Sequence, residues 1–294
     1  MTHPGELAPK PLSLRLKFKY YNMSVMDKIS EAVGYIATRY AGRPAVGVVL
    51  GSGLGNFRKE ILTDFEIPYG EIPHFPVSTV EGHGGTLIFG RIGHVPVIAM
   101  SGRFHFYEGY SAEEVVFPVR VMKHLGVTTL LLSNAAGGVK PGFRVGDIMV
   151  ITDHISLATV NPLLGNNEPA LGPRFPDMSM PYCHDLIRLA EQISLEKGID
   201  IQKGVYFGVT GPTFETRAEY RLIHVLGGDA VGMSTVQECI AANHMGMKVF
   251  GVSVITDIGI REEENVITHE EVLEAARAAE PRLALLFTSL ISKL

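Results

Sequence analysis

The apolar residues of this chain fall into two rhythms. The first is the short, nearly unbroken apolar run expected of a strand covered on both faces. Such runs occupy 44–50, 94–100, 127–133, 147–152, 203–209 and 248–256, with shorter pieces at 86–90 and 229–232. The second is helical. Val25, Ile29, Val33, Ile36 and Ala37 form one stripe of a helix predicted over 24–41. Further helices are predicted over 111–125, 184–196 and 217–226, from 233–238 onward, and from 268 to about 292. Ser111, with Glu113 and Glu114 in the first turn, and Thr268 supply helix-start signals. Residues 86–100 read as a hairpin turning around Arg91-Ile-Gly93. The stretch 161–182 carries five prolines and no periodicity, and reads as a long ordered loop. Strands alternating with helices, with no internal repeat or linker, predict an α/β fold: a single domain with a mixed central sheet flanked by helices.

The polar residues gather where the strands end. The run 95–100 leads into Ser101-Gly-Arg-Phe-His-Phe-Tyr-Glu-Gly-Tyr110. Extended alternation puts Arg103, His105 and Tyr107 on one side and Phe104 and Phe106 on the other. A guanidinium fork matches phosphate or carboxylate, and an adjacent imidazole adds a donor that titrates near neutrality. The bland alternative is a polar edge strand. Gly51-Ser-Gly-Leu-Gly55 follows another strand and could bring backbone amides to an anion. Its spacing is neither a dinucleotide fingerprint nor a Walker loop, and a plain strand-to-helix turn fits it as well. His83 lies in Glu81-Gly-His-Gly-Gly85, where flanking glycines expose it. Asn134-Ala-Ala-Gly-Gly138 reads as a small-residue loop, and Gly211-Pro-Thr-Phe-Glu-Thr216 as a loop bearing a carboxylate. Ligands of such sheets bind beyond the carboxyl ends of strands. The loops at Ser52, His83, Arg103, Asn134, Glu215, Ser234 and Asp257 are therefore expected to converge on one pocket.

Composition narrows the class. With 294 residues, 46% hydrophobic and 19% charged, the chain can bury a large core. A net charge of −5 offers no nucleic-acid or membrane-surface footprint. Two cysteines, Cys183 and Cys239, give neither a disulfide framework nor a zinc pattern and fit a cytoplasmic protein. No apolar run approaches the roughly 20 residues a membrane span requires. Residues 1–22 are basic, proline-containing and aperiodic, and are expected to be a disordered extension ahead of a domain over 23–294.

Seven segments in order resemble the trimeric purine nucleoside phosphorylases. They are Leu50-Gly-Ser-Gly-Leu-Gly55, Glu81-Gly-His-Gly84, Gly102-Arg-Phe-His-Phe-Tyr-Glu-Gly-Tyr110, Asn134-Ala-Ala-Gly-Gly138, Gly211-Pro-Thr-Phe-Glu-Thr216, Gly232-Met-Ser-Thr-Val236 and His269-Glu-Glu-Val272. The resemblance implies cleavage of a purine nucleoside by inorganic phosphate, as co-substrate, with no cofactor and no metal. It implies a phosphate site of Ser52, His83, Arg103, His105, the Ala135 amide and Ser234. Tyr107, Met233 and His269 would hold the ribose, and Phe214, Glu215 and Asp257 the purine, with His105, Glu215 and Asp257 the catalytic set. It implies a homotrimer in which a loop residue, here Leu171, enters the neighbouring subunit's ribose pocket.

One position departs from the family pattern. The commoner 6-oxopurine enzymes carry Asn where this chain has Asp257. An amide donates to a 6-oxo group and accepts from N7–H, whereas an ionised carboxylate only accepts. Asp257 therefore suits the 6-amino group of adenine, while Glu215 suits the N1–H of a 6-oxopurine. The expected enzyme takes adenosine as well as inosine or guanosine. Methylthioadenosine phosphorylases share this Asp, with a second Asp two residues later, where this chain has Gly259. His269 favours a 5′-hydroxyl over their thioether. The other rivals are a nucleoside-binding protein without catalysis and a calcium-dependent nucleoside hydrolase.

Overall fold

A computed structural model of the chain describes residues 23–51, 55–77, 85–260 and 267–294. Six helices and nine strands follow in order. They are α1 (Val25–Ala37), β1 (Val46–Val49), β2 (Leu62–Pro68), β3 (Thr86–Ile92), β4 (Val95–Ser101), α2 (Ala112–His124), β5 (Thr129–Gly138) and β6 (Ile148–Ile155). Then come α3 (His184–Lys197), β7 (Ile201–Gly208), α4 (Arg217–Val225), β8 (Ala230–Gly232), α5 (Val236–His244), β9 (Lys248–Ile258) and α6 (His269–Ile291).

All nine strands join one mixed sheet in the order β2-β3-β4-β1-β5-β8-β7-β6-β9, and β9 pairs back onto β5. The five strands from β5 to β9 thereby close into a ring, with the other four extending from β5. Strands β4, β1, β5 and β9 run parallel, so their carboxyl ends share one edge. The apolar runs fill the core: Val48, Val49, Leu130, Leu131, Val252 and Val254 are fully buried. Helices α5 and α6 cover β9, α3 packs on α6, and α2 lies between α1 and α5. Helices α1, α2, α4 and α6 each begin at a Ser or Thr whose hydroxyl accepts from the N3 amide, while the N3 carboxylate accepts from the cap amide. Each such cap is worth about 1 kcal/mol.

Three sequence expectations change. Asn134–Gly138 is the end of β5, not a loop, and pairs with both β9 and β8. Its small residues are needed because the strands crowd together: a Cβ on Gly138 would stand 2.9 Å from Ile255 Cγ2. Asp257 likewise lies within β9, opposite Gly137. Strand β2, unmarked by any apolar run, has mostly exposed or half-buried positions and pairs along β3. The predicted extension over 1–22 lies outside the described residues. Among those described, no helix is long and apolar enough to cross a membrane.

Candidate active site

One cleft opens at the shared carboxyl edge of the parallel strands. Arg103, His105, Tyr107, Ala135, Phe214, Glu215, Met233, Ser234, Asp257 and His269 all line it. Ser52 and His83 lie outside the described residues. Each side chain arrives for a traceable reason. Beyond β4 the chain does not continue as a strand but turns through a 3-10 segment, Phe106–Glu108. Phe104 is buried between the rings of Tyr69 and Tyr110, at 5.1 and 5.9 Å, and anchors that turn. Arg103, His105 and Tyr107 are left on the cleft side, Tyr107 from within the 3-10 turn and not by strand alternation. Strand β8 runs antiparallel to β5, so the residues after it return along 134–136 and bring Met233 and Ser234 beside Arg103.

Buried polar groups build one end. Arg103 is 1% exposed. Its Nε donates to Glu238 Oε1 at 3.2 Å, and one terminal nitrogen donates to the Ser133 carbonyl at 2.7 Å and to Ser234 Oγ at 3.0 Å. Glu238 is 3% exposed and also accepts from the Thr235 amide at 2.9 Å. Thr235 has φ +72°, a costly conformation for a β-branched residue. Asn134 Nδ2, donating to Thr235 Oγ1 at 2.8 Å, helps hold it there. Gly51 must be glycine, because a Cβ would come within 2.7 Å of the Ser133 carbonyl oxygen. The next turn, Gly55–Glu60, is tied to α6 by Glu280, which accepts from the Phe57 amide and from Asn56. His105 is fixed twice by Glu108: its amide donates to Oε1 at 2.8 Å, and Nδ1 pairs with the same oxygen at 2.9 Å. Its ring stacks on Tyr107, 4.7 Å between centroids at 16°. Burial pushes the Tyr107 phenol up to about 12, so it stays a donor. This end can hold an oxyanion.

Carboxylates build the other end. Asp257 is 7% exposed, with Thr256 Oγ1 at 3.2 Å from Oδ1 and the Tyr220 hydroxyl at 3.4 Å from Oδ2. Burial raises the proton affinity of Glu215, and Asp257 raises it further, against a backbone amide and the Tyr220 hydroxyl. Phe214 is 42% exposed at the rim. Phe214, Glu215 and Asp257 thus line one cleft together, an aromatic ring beside two acids. Sequence reasoning did not find Tyr220, Thr235 or Glu238.

Leu171 is a correction. It is 2% exposed within its own chain's core, and the next residue, Gly172, is packed against the end of α5 at His244. It has no surface to offer a neighbour. The exposed apolar side chains of that region are Leu157, Leu164, Phe175 and Met180.

Residues 45–292 match the phosphorylase superfamily. The chain is 54% identical over 248 residues to purine nucleoside phosphorylase 1 of Bacillus subtilis, covering 84% of this chain and 92% of that one. It is 50% identical to purine nucleoside phosphorylase 1 of Geobacillus stearothermophilus, covering 84% and 90%. A crystal structure of Schistosoma mansoni purine nucleoside phosphorylase in complex with adenosine superposes with a TM-score of 0.88 at 39% identity, over 92% of this chain and 99% of that one. The chain belongs to the phosphorylase superfamily, among its purine nucleoside phosphorylases.

Proposed function

We propose that this cleft performs phosphorolysis of purine nucleosides. An oxygen of hydrogen phosphate attacks C1′ of the sugar, and the C1′–N9 bond breaks with its electron pair going to the purine. The proton lost as the phosphate ester forms ends on the purine, and free purine and ribose or deoxyribose 1-phosphate leave. The observation that carries this reading is one cleft with a buried guanidinium at one end and two acids at the other. In it, Arg103, His105, Ser234 and the Ala135 amide, together with Ser52 and His83, hold phosphate. Tyr107, Met233 and His269 hold the sugar. Phe214 covers the base, and Glu215 and Asp257 read its edge.

The chemistry follows from charge. As the glycosidic bond breaks, the sugar becomes cationic and the base anionic. A phosphate held beneath the sugar stabilises the cation and is itself the nucleophile, so the protein supplies no covalent nucleophile. Positioning and preorganised donors do the rest. Glu215 and Asp257 ask for different bases, N1–H for one and a 6-amino group for the other, so both 6-oxo and 6-amino purine nucleosides are substrates. That the Schistosoma mansoni relative was crystallised in complex with adenosine, and a Schistosoma purine nucleoside phosphorylase in complex with hypoxanthine, supports such breadth. The exposed apolar residues of the region around 157–180 support association of copies, which we take to be a homotrimer. Two free thiols, Cys183 and Cys239, support a cytoplasmic setting.

The test is base release from inosine, guanosine, adenosine and methylthioadenosine, with and without phosphate. Release from inosine and adenosine that requires phosphate is expected. Equal release without phosphate would make the enzyme a hydrolase. Turnover of methylthioadenosine far above adenosine would reassign the sugar site. No turnover of adenosine beside robust turnover of inosine would end the dual-base reading.

A further inference from the structure

Tyr220 belongs to the base end of the cleft, although no motif marks it. It sits on α4, is 3% exposed, and lines the cleft beside Asp257. Its ring lies over Gly259: a Cβ there would stand 2.1 Å from Tyr220 Cδ1 and 2.3 Å from Cε1. A glycine two residues after Asp257 thus gives the ring its place, and that place brings the hydroxyl to Asp257 Oδ2 at 3.4 Å. On the other carboxylate oxygen stands Thr256 Oγ1, at 3.2 Å. Burial and the two neighbouring acids, Asp257 and Glu215, push the Tyr220 phenol far above its ordinary range, so it keeps its proton; both carboxylates compete for it, and the 3.4 Å contact is with Asp257.

We propose that Tyr220 is a specificity-determining positioning residue: by donating to Oδ2 it favours the ionised, acceptor-only form of Asp257 and aims it at the 6-amino group of an adenine nucleoside. This rests on the reading of Asp257 given above. The physical ground is that a hydrogen bond to a carboxylate favours its charged form. Two hydroxyls placed on opposite oxygens also fix the carboxylate plane. A contact of 3.4 Å is longer than the usual O–H···O distance, so it steers the carboxylate more than it anchors it. Without the phenol, Asp257 takes up a proton more readily. The neutral acid can donate to a 6-oxo oxygen, which moves preference toward inosine.

The experiment compares kcat/KM for adenosine and inosine, at saturating phosphate, in the full chain and in Tyr220→Phe, Asp257→Asn and the double variant. Tyr220→Phe keeps the ring over Gly259, and a ratio of two substrates cancels any loss of folded protein. The adenosine-to-inosine ratio is expected to fall about three- to tenfold in Tyr220→Phe, the scale of an ordinary hydrogen bond. The phosphate KM stays unchanged. In the Asp257→Asn background the same substitution moves the ratio by less than about twofold, because the two act as one unit. A ratio unmoved by Tyr220→Phe but moved by Asp257→Asn overturns the role of Tyr220 and leaves Asp257 as the reader. Full additivity also overturns it, since Tyr220 would then act independently. Absence of adenosine turnover in the unmodified chain, or a ratio indifferent to Asp257→Asn, removes the reading of Asp257 and this inference with it.

Discussion

The two ends of the cleft are built on different principles. At the Arg103 end the functional group is locked into the core by β4, β5 and the start of α5. Its partners come from two places in the chain, Ser133 in β5 and Ser234 with Glu238 at the start of α5, and Glu238 is nearly as buried as Arg103. At the Asp257 end, the carboxylate lies among hydroxyls that include Thr256 Oγ1 at 3.2 Å and the Tyr220 phenol at 3.4 Å, with a second acid, Glu215, on the same cleft wall. The first arrangement suits an oxyanion that never varies. The second suits a base edge whose donors and acceptors differ between substrates. A rigid end fixes the reaction, while an end with movable protons decides what reacts.

The largest expected effect breaks the rigid end. If Arg103 holds the phosphate as proposed, Arg103→Ala should lower kcat/KM by about 10³-fold for every nucleoside alike. Its partner separates chemistry from stability. Glu238→Ala leaves the buried guanidinium without its counter-charge, which should cost about 3–5 kcal/mol in a denaturant titration. If instead Arg103→Ala altered adenosine and inosine very differently, the division between the two ends would be wrong.

A smaller effect tests the other end. Glu215 accepts N1–H only when ionised, and burial raises its proton affinity. Inosine kcat/KM should therefore fall as pH drops through a value above the ordinary glutamate pKa of about 4.3. Adenosine has no N1–H and should lack that acid limb. Glu215→Ala should cost inosine about 10- to 100-fold, the worth of a hydrogen bond to a charged group, and adenosine less. An inosine acid limb left unmoved in Glu215→Gln would show that Glu215 does not read N1.

What could be read from residues alone follows the same division. Arg103, His105 and Tyr107 were legible because polar side chains alternating just past an apolar strand have few structural explanations. Glu215 and Asp257 were legible as charges at strand ends. Tyr220 was not, because an aromatic three residues before Ile223 on the inner face of a short helix carries the same pattern as core packing. Glu238 hides in the same way, as an acid in a first helical turn that reads as a cap. The end of β5 was misread because small residues signal turns, yet here they answer to strands crowded on both sides. Leu171 was misplaced because a loop without periodicity gives no sign of which residues face inward. Only the packing of Gly172 on His244 settles that.

Gly259→Ala adds one methyl group, yet the new Cβ would meet the Tyr220 ring at 2.1 Å. The ring cannot stay where it is, and α4 or the end of β9 must yield. Overpacking of this kind costs about 1–3 kcal/mol. The displacement acts on the phenol and, through it, on Asp257, whereas Arg103, Ser234 and Glu238 are held by contacts that do not involve Gly259. The KM for nucleoside should rise while the KM for phosphate stays put, and the adenosine-to-inosine ratio should move in the same direction as in Tyr220→Phe. Parallel increases in both KM values would mean that strain spreads across β9 into β5, and that the two ends are one mechanical unit.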